Sequence, residues 1–125
     1  MRVLVIDDDA GFRTVAKCAV ADMEGVVLKT VATGEEALEK LATQQFDLIV
    51  LDMKMAPMGG EEVYREIQKR KIKTEIIIVT GLVEFAEKLQ VENPTLRVFT
   101  KQLNFSQFQK CLKGWILEKK ASLKT

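Results

Sequence analysis

Residues 46–51 read FDLIVL, a run that is apolar at every position except Asp47, and the carboxylate of Asp52 follows it directly. Continuous apolar runs of this length are typical of strands buried on both faces of a sheet. Two further runs have the same character, RVLVI at residues 2–6 and EIIIV at residues 75–79. VVLKTV at 26–31 and LRVFT at 96–100 are weaker candidates. The sequence therefore predicts five strands.

Apolar residues at helical spacing follow every predicted strand. Phe12, Val15, Ala16, Ala19, Val20 and Met23 form the first stripe, and Ala37, Leu38 and Leu41 follow a Thr33/Glu36 capping box. Later stripes are Val63 with Ile67, then Leu82, Phe85, Ala86 and Leu89 before Asn93-Pro94, and last Phe105, Phe108, Leu112, Trp115 and Ile116 after Asn104. Strands that alternate with helices predict an α/β fold, with a five-stranded parallel sheet flanked by helices on both faces.

Composition narrows the classes of function. A chain of 125 residues predicts one domain over residues 1–125. It contains no histidine, which excludes histidine-based triads and HExxH zinc sites. The net charge of +1 is far from the basic excess of a nucleic-acid-binding domain. Cys18 and Cys111 form no CxxC pair, and no apolar run reaches membrane-spanning length, so we expect a cytoplasmic protein with no membrane contact.

Polar residues stand where four of the predicted strands end. They are Asp7, Asp8 and Asp9 after the first strand, Asp52 after the third, Thr80 after the fourth and Lys101 after the fifth. The carboxyl ends of parallel strands share one rim, where ligands bind in open α/β sheets. Clustered carboxylates repel one another unless a hard cation holds them ionised, and Mg²⁺ prefers such oxygen ligands together with phosphate. The sequence predicts a magnesium site that handles a phosphoryl group. Asp9 has an alternative role, since an acid at this position often only caps the next helix.

These segments resemble the receiver domain of two-component response regulators. VLVIDDDAGFR is similar to its first strand and acidic pair, LIVLDMKMAPMGG to its phosphoacceptor segment, IIIVTG to its fourth-strand threonine and FTKQLNF to its fifth-strand lysine. The resemblance spans nearly the whole chain in the right order. It implies the flavodoxin-like (βα)5 receiver fold. In the whole protein an output domain would be able to follow residue 125.

The resemblance also implies roles for individual residues. Asp52 would be the phosphoacceptor, and Thr80 and Lys101 would contact phosphoryl oxygens. Asp8, Asp52 and the backbone carbonyl of Lys54 would ligate the Mg²⁺ ion, and Asp7 would orient its waters. The donor would be a sensor histidine kinase, a phosphotransfer protein or a small acyl phosphate. The domain would act as a phosphorylation switch, with self-catalysed phosphorylation and dephosphorylation but no enzymatic turnover. An output domain or a homodimer would relay the signal.

The chain departs from the family pattern around the switch. Ala56 replaces the usual proline, with Pro57 one place later; Gly81 replaces an alanine, Gln102 replaces the proline after the lysine, and Val98 replaces an aromatic residue. A non-proline cis bond is costly, so we expect a trans bond before Gln102. Phe99 should point to the opposite face from Val98 and cannot substitute for the missing ring. We expect altered coupling to the output surface.

Three different functions stay open from the sequence. A phosphatase of the haloacid dehalogenase type would use Asp7 as nucleophile and Asp9 as acid/base, with Thr80 and Lys101, but it leaves Asp52 unexplained. That family also needs an acidic residue after the lysine to help hold Mg²⁺, but no aspartate lies beyond Asp52, and Glu118 belongs to the last predicted helix. A flavodoxin-like nucleotide-binding module would need a glycine-rich phosphate loop, and the sequence contains neither GxGxxG nor GxxxxGKS/T. A receiver-shaped interaction module would never be phosphorylated.

Overall fold

Strands and helices alternate along the whole chain. The computed structural model describes residues 1–53, 59–101 and 104–123. The elements in order are β1 (Arg2–Ile6), α1 (Ala10–Val20), β2 (Val27–Val31), α2 (Gly34–Thr43), β3 (Leu48–Asp52), α3 (Gly60–Lys69), β4 (Glu75–Thr80), α4 (Val83–Glu92), β5 (Arg97–Thr100) and α5 (Phe105–Ser122). The predicted α/β fold is confirmed.

The five strands form one parallel sheet in the order β2-β1-β3-β4-β5. In the register, Leu51 of β3 pairs with Ile6 of β1 and with Ile78 of β4. The chain therefore winds in opposite directions on the two sides of the β1–β3 boundary, and ligand sites in such sheets lie at the carboxyl ends of the strands at this boundary. Asp7, directly after β1, and Asp52, the last residue of β3, both lie at that point.

The core has two layers, one on each face of the sheet. One cluster packs α2, α3 and α4 against the sheet, and the other packs α1 and α5 against the opposite face. Every residue of β3 is buried, as its continuous apolar pattern predicts. Successive residues of a strand point to opposite faces. Val98 packs on the first cluster and Phe99 on the second, so the predicted division between these two side chains is confirmed.

Element boundaries differ slightly from the predicted ones. β3 begins at Leu48 instead of at residue 46, and α1 ends before Met23, which packs on the core from a loop. Leu82, expected on the inward stripe of α4, is the N-cap of that helix and is 44% exposed. Its helical spacing from Phe85 does not bury it, because the chain has not yet entered the helix at this residue. The predicted N-caps Thr33 and Asn104 are confirmed.

Gly60, the first residue of α3, lies against the end of β3. A Cβ atom at this position would collide with the backbone carbonyl of Asp52 and would come 2.5 Å from Met53 Cα. Neither is a flexible side chain that could turn aside. The close approach lets the N-terminus of α3 lie directly beside the strand end that carries Asp52.

Over the part of the chain that the structure describes, no helix is both long and apolar enough to cross a membrane.

Candidate functional site at the carboxyl edge of the sheet

The predicted rim residues come together at the carboxyl edge of the sheet. Asp7, Asp52 and Thr80 are the buried polar residues among those described, with exposures of 4%, 2% and 0%. Burial of polar groups is costly unless each one is paired. Three strands thus deliver polar side chains into a protected position, and Lys101 reaches them from the end of β5.

Lys101 joins the two buried carboxylates. Its Nζ donates to Asp7 Oδ1 at 2.8 Å and to Asp52 Oδ2 at 3.0 Å, and its side chain is only 15% exposed. Hydrogen bonds between charged groups are shorter and stronger than neutral ones. One ammonium therefore bridges the ends of β1 and β3, although the lysine is 94 residues from Asp7 and 49 from Asp52 in sequence.

Asp7 is difficult to ionise in this environment. The pKa of Asp7 is raised from its ordinary value of 3.8 to about 6. Burial is the main cause and the charge of Asp52 adds to it, while the hydrogen bond and charge of Lys101 and the backbone N–H of Asp9 oppose the rise. The loss of water around the carboxylate outweighs the favourable contacts. A cation bound beside Asp7 would therefore relieve part of this electrostatic cost.

Lys101 responds in the opposite sense to its carboxylate partners. Burial alone would lower the pKa of Lys101, but the hydrogen bond and charge of Asp7, followed by those of Asp52, raise it above the ordinary value of 10.5. The side chain is therefore a permanent cation at neutral pH. It is suited to hold negatively charged oxygens.

Thr80 is the last residue of β4 and lies beside the backbone of Lys101. The backbone N–H of Lys101 donates to the carbonyl of Thr80 at 2.6 Å, and the hydroxyl of Thr80 accepts from the backbone N–H of Leu82 at 3.1 Å. A hydroxyl can accept and donate at the same time. Its proton can therefore point to an oxygen in the site while the oxygen atom stays bonded to the start of α4.

Three carboxylates could hold a metal ion together. Asp7, Asp8 and Asp52 each offer an oxygen, and these oxygens lie within 4.8 Å of one another. Asp8 is exposed, whereas the other two are buried, so the cluster opens to solvent on the side of Asp8. An all-oxygen set with access to water fits Mg²⁺, which keeps several water ligands.

Asp9 and Arg13 organise the segment around this cluster. Asp9 is the N-cap of α1, and its side chain accepts from the backbone N–H of Gly11 at 2.7 Å and of Phe12 at 3.3 Å. The capping role considered for Asp9 is confirmed. Arg13, which the motifs in the sequence did not single out, donates to the backbone carbonyl of Asp7 at 2.9 Å. Arg13 is the fourth residue of α1, and its place on the first turn, shortly after the acidic pair, is the sequence signal for this contact.

Several predicted positions lie outside the described residues. These are Lys54, Ala56, Pro57 and Gln102. The carbonyl ligand expected at Lys54 and the trans bond expected before Gln102 stay predictions. Cys111 follows the apolar stripe of α5 at Phe108, which predicts a buried side chain, but the structure leaves it half-buried, and Cys18 is exposed.

Comparison with known proteins identifies relatives of one kind. The family model of the response regulator receiver domain matches residues 3–113. The Bacillus subtilis protein named "Probable C4-dicarboxylate response regulator DctR" is 27% identical over 116 residues, which cover 91% of this chain and 51% of the relative. The Brucella ovis cell cycle response regulator CtrA is 31% identical over 90 residues, covering 72% of this chain and 38% of the relative.

Solved structures agree with the sequence matches. The response regulator protein TrrA of Thermotoga maritima, solved in complex with Mg²⁺ and BeF, has a TM-score of 0.70 and is 32% identical, with 90% of this chain and 96% of that chain covered. The chain spans about half or less of the length of the two curated relatives. These matches favour neither a phosphatase nor a nucleotide-binding module, nor a receiver-shaped module that is never phosphorylated.

Proposed function

This chain belongs to the response regulator receiver family of two-component signalling, and on that premise we propose that Asp52 is its phosphoacceptor. The observation that carries the proposal is the placement of Asp52. It is 2% exposed at the end of the central strand, 3.0 Å from the ammonium of Lys101, and it belongs to a carboxylate cluster with Asp7 and Asp8. Phosphoryl-transfer catalysis consists mostly of positioning and charge neutralisation, which these neighbours supply.

The transfer forms one bond to phosphorus and breaks another. A carboxylate oxygen of Asp52 attacks the phosphorus atom, and the bond from phosphorus to the donor breaks, so that the electron pair leaves with acetate or with an imidazole nitrogen. The chain contains no histidine, so a phosphohistidine donor belongs to another segment or protein. Phosphorylation of Asp52 switches the protein from its free to its phosphorylated form. Self-catalysed phosphorylation and dephosphorylation of Asp52 are the only reactions proposed for the domain.

The carboxylate set fits Mg²⁺. Asp7, Asp8 and Asp52 offer clustered oxygens, and the cost of ionising buried Asp7 favours a cation beside it. When bound, the ion would neutralise charge on the phosphoryl oxygens. The TrrA relative was crystallised with Mg²⁺ and BeF, which supports the same ligand chemistry here. We expect the carbonyl of Lys54 to complete the protein ligands.

Thr80 and Lys101 hold the phosphoryl group after transfer. The hydroxyl of Thr80 donates to one phosphoryl oxygen while it accepts from Leu82, and the ammonium of Lys101 moves from the Asp7–Asp52 pair to another oxygen. Both groups lie at ends of neighbouring strands, since Thr80 pairs with Thr100 in the β4–β5 register. A movement of either side chain should therefore displace the ends of β4 and β5.

The partners follow from the family. We propose a sensor histidine kinase or phosphotransfer protein as donor, and an output domain or a second copy of the receiver as the recipient of the signal. The two curated relatives are nearly twice the length of this chain, which is consistent with an output domain in the whole protein. Val98 and Gln102 lead us to expect that this receiver signals through a modified route at β5.

Mass spectrometry tests the phosphoacceptor. Incubation with acetyl phosphate and Mg²⁺ should add one phosphate to the intact protein, and Asp52→Asn should remove the added mass. Asp22→Asn is the matched control, because Asp22 is an exposed acid paired with Lys113 and lies outside the cluster. Undiminished labelling of Asp52→Asn would refute the assignment.

A further inference from the structure

An aromatic ring lies against the ammonium of Lys101. Nζ of Lys101 is 4.7 Å from the centroid of the Phe12 ring, within the range of a cation–π interaction. The sequence places Phe12 on the buried stripe of α1, and it is 8% exposed. Its position two residues into α1 also brings it to the rim where the strands end.

Two further rings hold the Phe12 ring in place. Phe105 and Phe108 of α5 make edge-type contacts with it, at centroid distances of 5.1 and 5.0 Å and interplanar angles of 85° and 75°. Such T-shaped pairs are favoured by the charge distribution of aromatic rings. The orientation of the Phe12 face toward the lysine is therefore fixed by packing between α1 and α5.

The ring attracts the ammonium without competing for its hydrogen bonds. Lys101 donates to Asp7 and Asp52, and a lysine ammonium carries three donors on a flexible stem. A carboxylate or carbonyl at the position of the ring would bind one of these donors. The electron-rich face instead limits where the charge can move and leaves the N–H groups able to change acceptors.

We infer that Phe12 is a positioning residue for phosphoryl transfer, which keeps the ammonium of Lys101 beside the acceptor carboxylate as its hydrogen bonds pass from the carboxylates to a phosphoryl oxygen. The inference rests on the proposed phosphorylation of Asp52. It assigns to Phe12 a role in the reaction that a core residue on the same stripe, such as Ala16, does not have.

Graded changes in the ring test the inference. Phe12→Leu keeps an apolar side chain but removes the face, and we expect acetyl phosphate to label this variant about threefold to thirtyfold more slowly at saturating Mg²⁺. Incorporation of mono-, di-, tri- and pentafluorophenylalanine at position 12 keeps the ring and weakens its negative face in steps. The labelling rate should fall in the same order, and a rate equal to wild type with pentafluorophenylalanine would overturn the inference.

A double-mutant cycle separates positioning from packing. In the Lys101→Met background the ammonium is absent, so Phe12→Leu should change the slow residual labelling rate by less than twofold. An equal loss in both backgrounds would mean that Phe12 serves the core alone. Phe46→Leu is the matched control, since it removes a buried ring that belongs to the cluster on the opposite face of the sheet. It should lower stability without depending on the residue at position 101.

A spectroscopic measurement tests the contact itself. The ε-methylene protons of Lys101 should resonate upfield in the wild type and move toward random-coil values in Phe12→Leu, because the ring current is lost. Unshifted wild-type protons would overturn the inference. If wild type is not labelled at Asp52, the proposed function fails and the inference with it. If wild type is labelled and the fluorinated series is flat, the inference alone fails.

Discussion

Burial makes Asp7 an electrostatic cost to the folded protein. Its pKa rises from 3.8 to about 6, chiefly through loss of water, despite the contact with Lys101. Between about pH 4 and pH 6 the folded state binds a proton at this site more strongly than the unfolded state does. The free energy of unfolding therefore falls as the pH rises through that window. Above about pH 6 the folded protein bears the full cost of ionising Asp7.

Replacing Asp7 with asparagine should stabilise the magnesium-free protein. A rise in pKa from 3.8 to about 6 corresponds to about 3 kcal/mol for the ionised group, and Lys101 loses one of its two carboxylate partners, so we expect a net gain of about 1–2 kcal/mol at pH 8. Urea unfolding with a chelator measures it. The gain should shrink at pH 4.5, where Asp7 of the wild type is mostly protonated.

Asp22→Asn provides the comparison for that measurement. Asp22 is 75% exposed at its side chain and pairs with Lys113 on the surface, where substitutions usually change stability by less than about 0.5 kcal/mol. If Asp7→Asn is no more stable than this control at pH 8, the cost assigned to Asp7 is wrong.

At the scale of secondary structure elements, two glycines in helices have opposite roles. Gly60 begins α3 against the main chain of Asp52 and Met53. A Cβ on Gly114, within α5, would meet no atom within 4 Å apart from its chain neighbours and the nearby backbone of its own helix. The first glycine permits a close approach of helix to strand. The second is only a weak helix former in open space.

Alanine at these two positions should therefore change stability in opposite directions. Gly60→Ala must move α3 away from β3, and we expect a loss of about 1–3 kcal/mol together with slower phosphorylation, because the acceptor strand is displaced. Gly114→Ala should add about 0.5–1 kcal/mol through helix propensity and leave the labelling rate unchanged. Chemical denaturation of both variants checks the signs. Equal effects would contradict the close packing of α3 on β3.

At the scale of the whole molecule, Mg²⁺ should stabilise the fold through linkage. A ligand that binds only the folded state adds stability that grows with the logarithm of its concentration, about 2.7 kcal/mol at one hundred times the Kd. We expect the melting temperature of the wild type to rise on titration with Mg²⁺. The rise should be small in Asp8→Ala, which removes the exposed oxygen ligand while leaving both buried carboxylates in place.

Calorimetric titration complements the melting curves. Asp8→Ala should bind Mg²⁺ more weakly than wild type, because few protein ligands hold this ion and each supplies a large share of the attraction. Asp9→Ala is a useful comparison, since Asp9 caps α1 and should affect stability more than metal affinity. Wild-type affinity in Asp8→Ala would contradict the proposed ligand set.

Much of this arrangement follows from sequence, because two regularities act together. Continuous apolar runs such as that of β3 indicate buried parallel strands. Parallel strands bring the residues at their carboxyl ends to a common edge of the sheet. Asp7, Asp52 and Thr80 are therefore predictable neighbours. The contact of Phe12 with Lys101 was not predictable. It depends on how α5 packs on α1, and helical periodicity assigns a side chain to a face without giving the partner across that face.

The packed aromatic rings of α1, β5 and α5 also include an intrinsic fluorescent probe. The sequence holds a single tryptophan, and Trp115 is 4% exposed, with its ring 4.8 Å from that of Phe99. Phe99 lies on β5 two residues before Lys101, so a shift of this strand changes the surroundings of the indole. Its emission should therefore follow phosphorylation in real time without an attached dye, and Phe99→Leu should reduce the response while Asp52 is still modified.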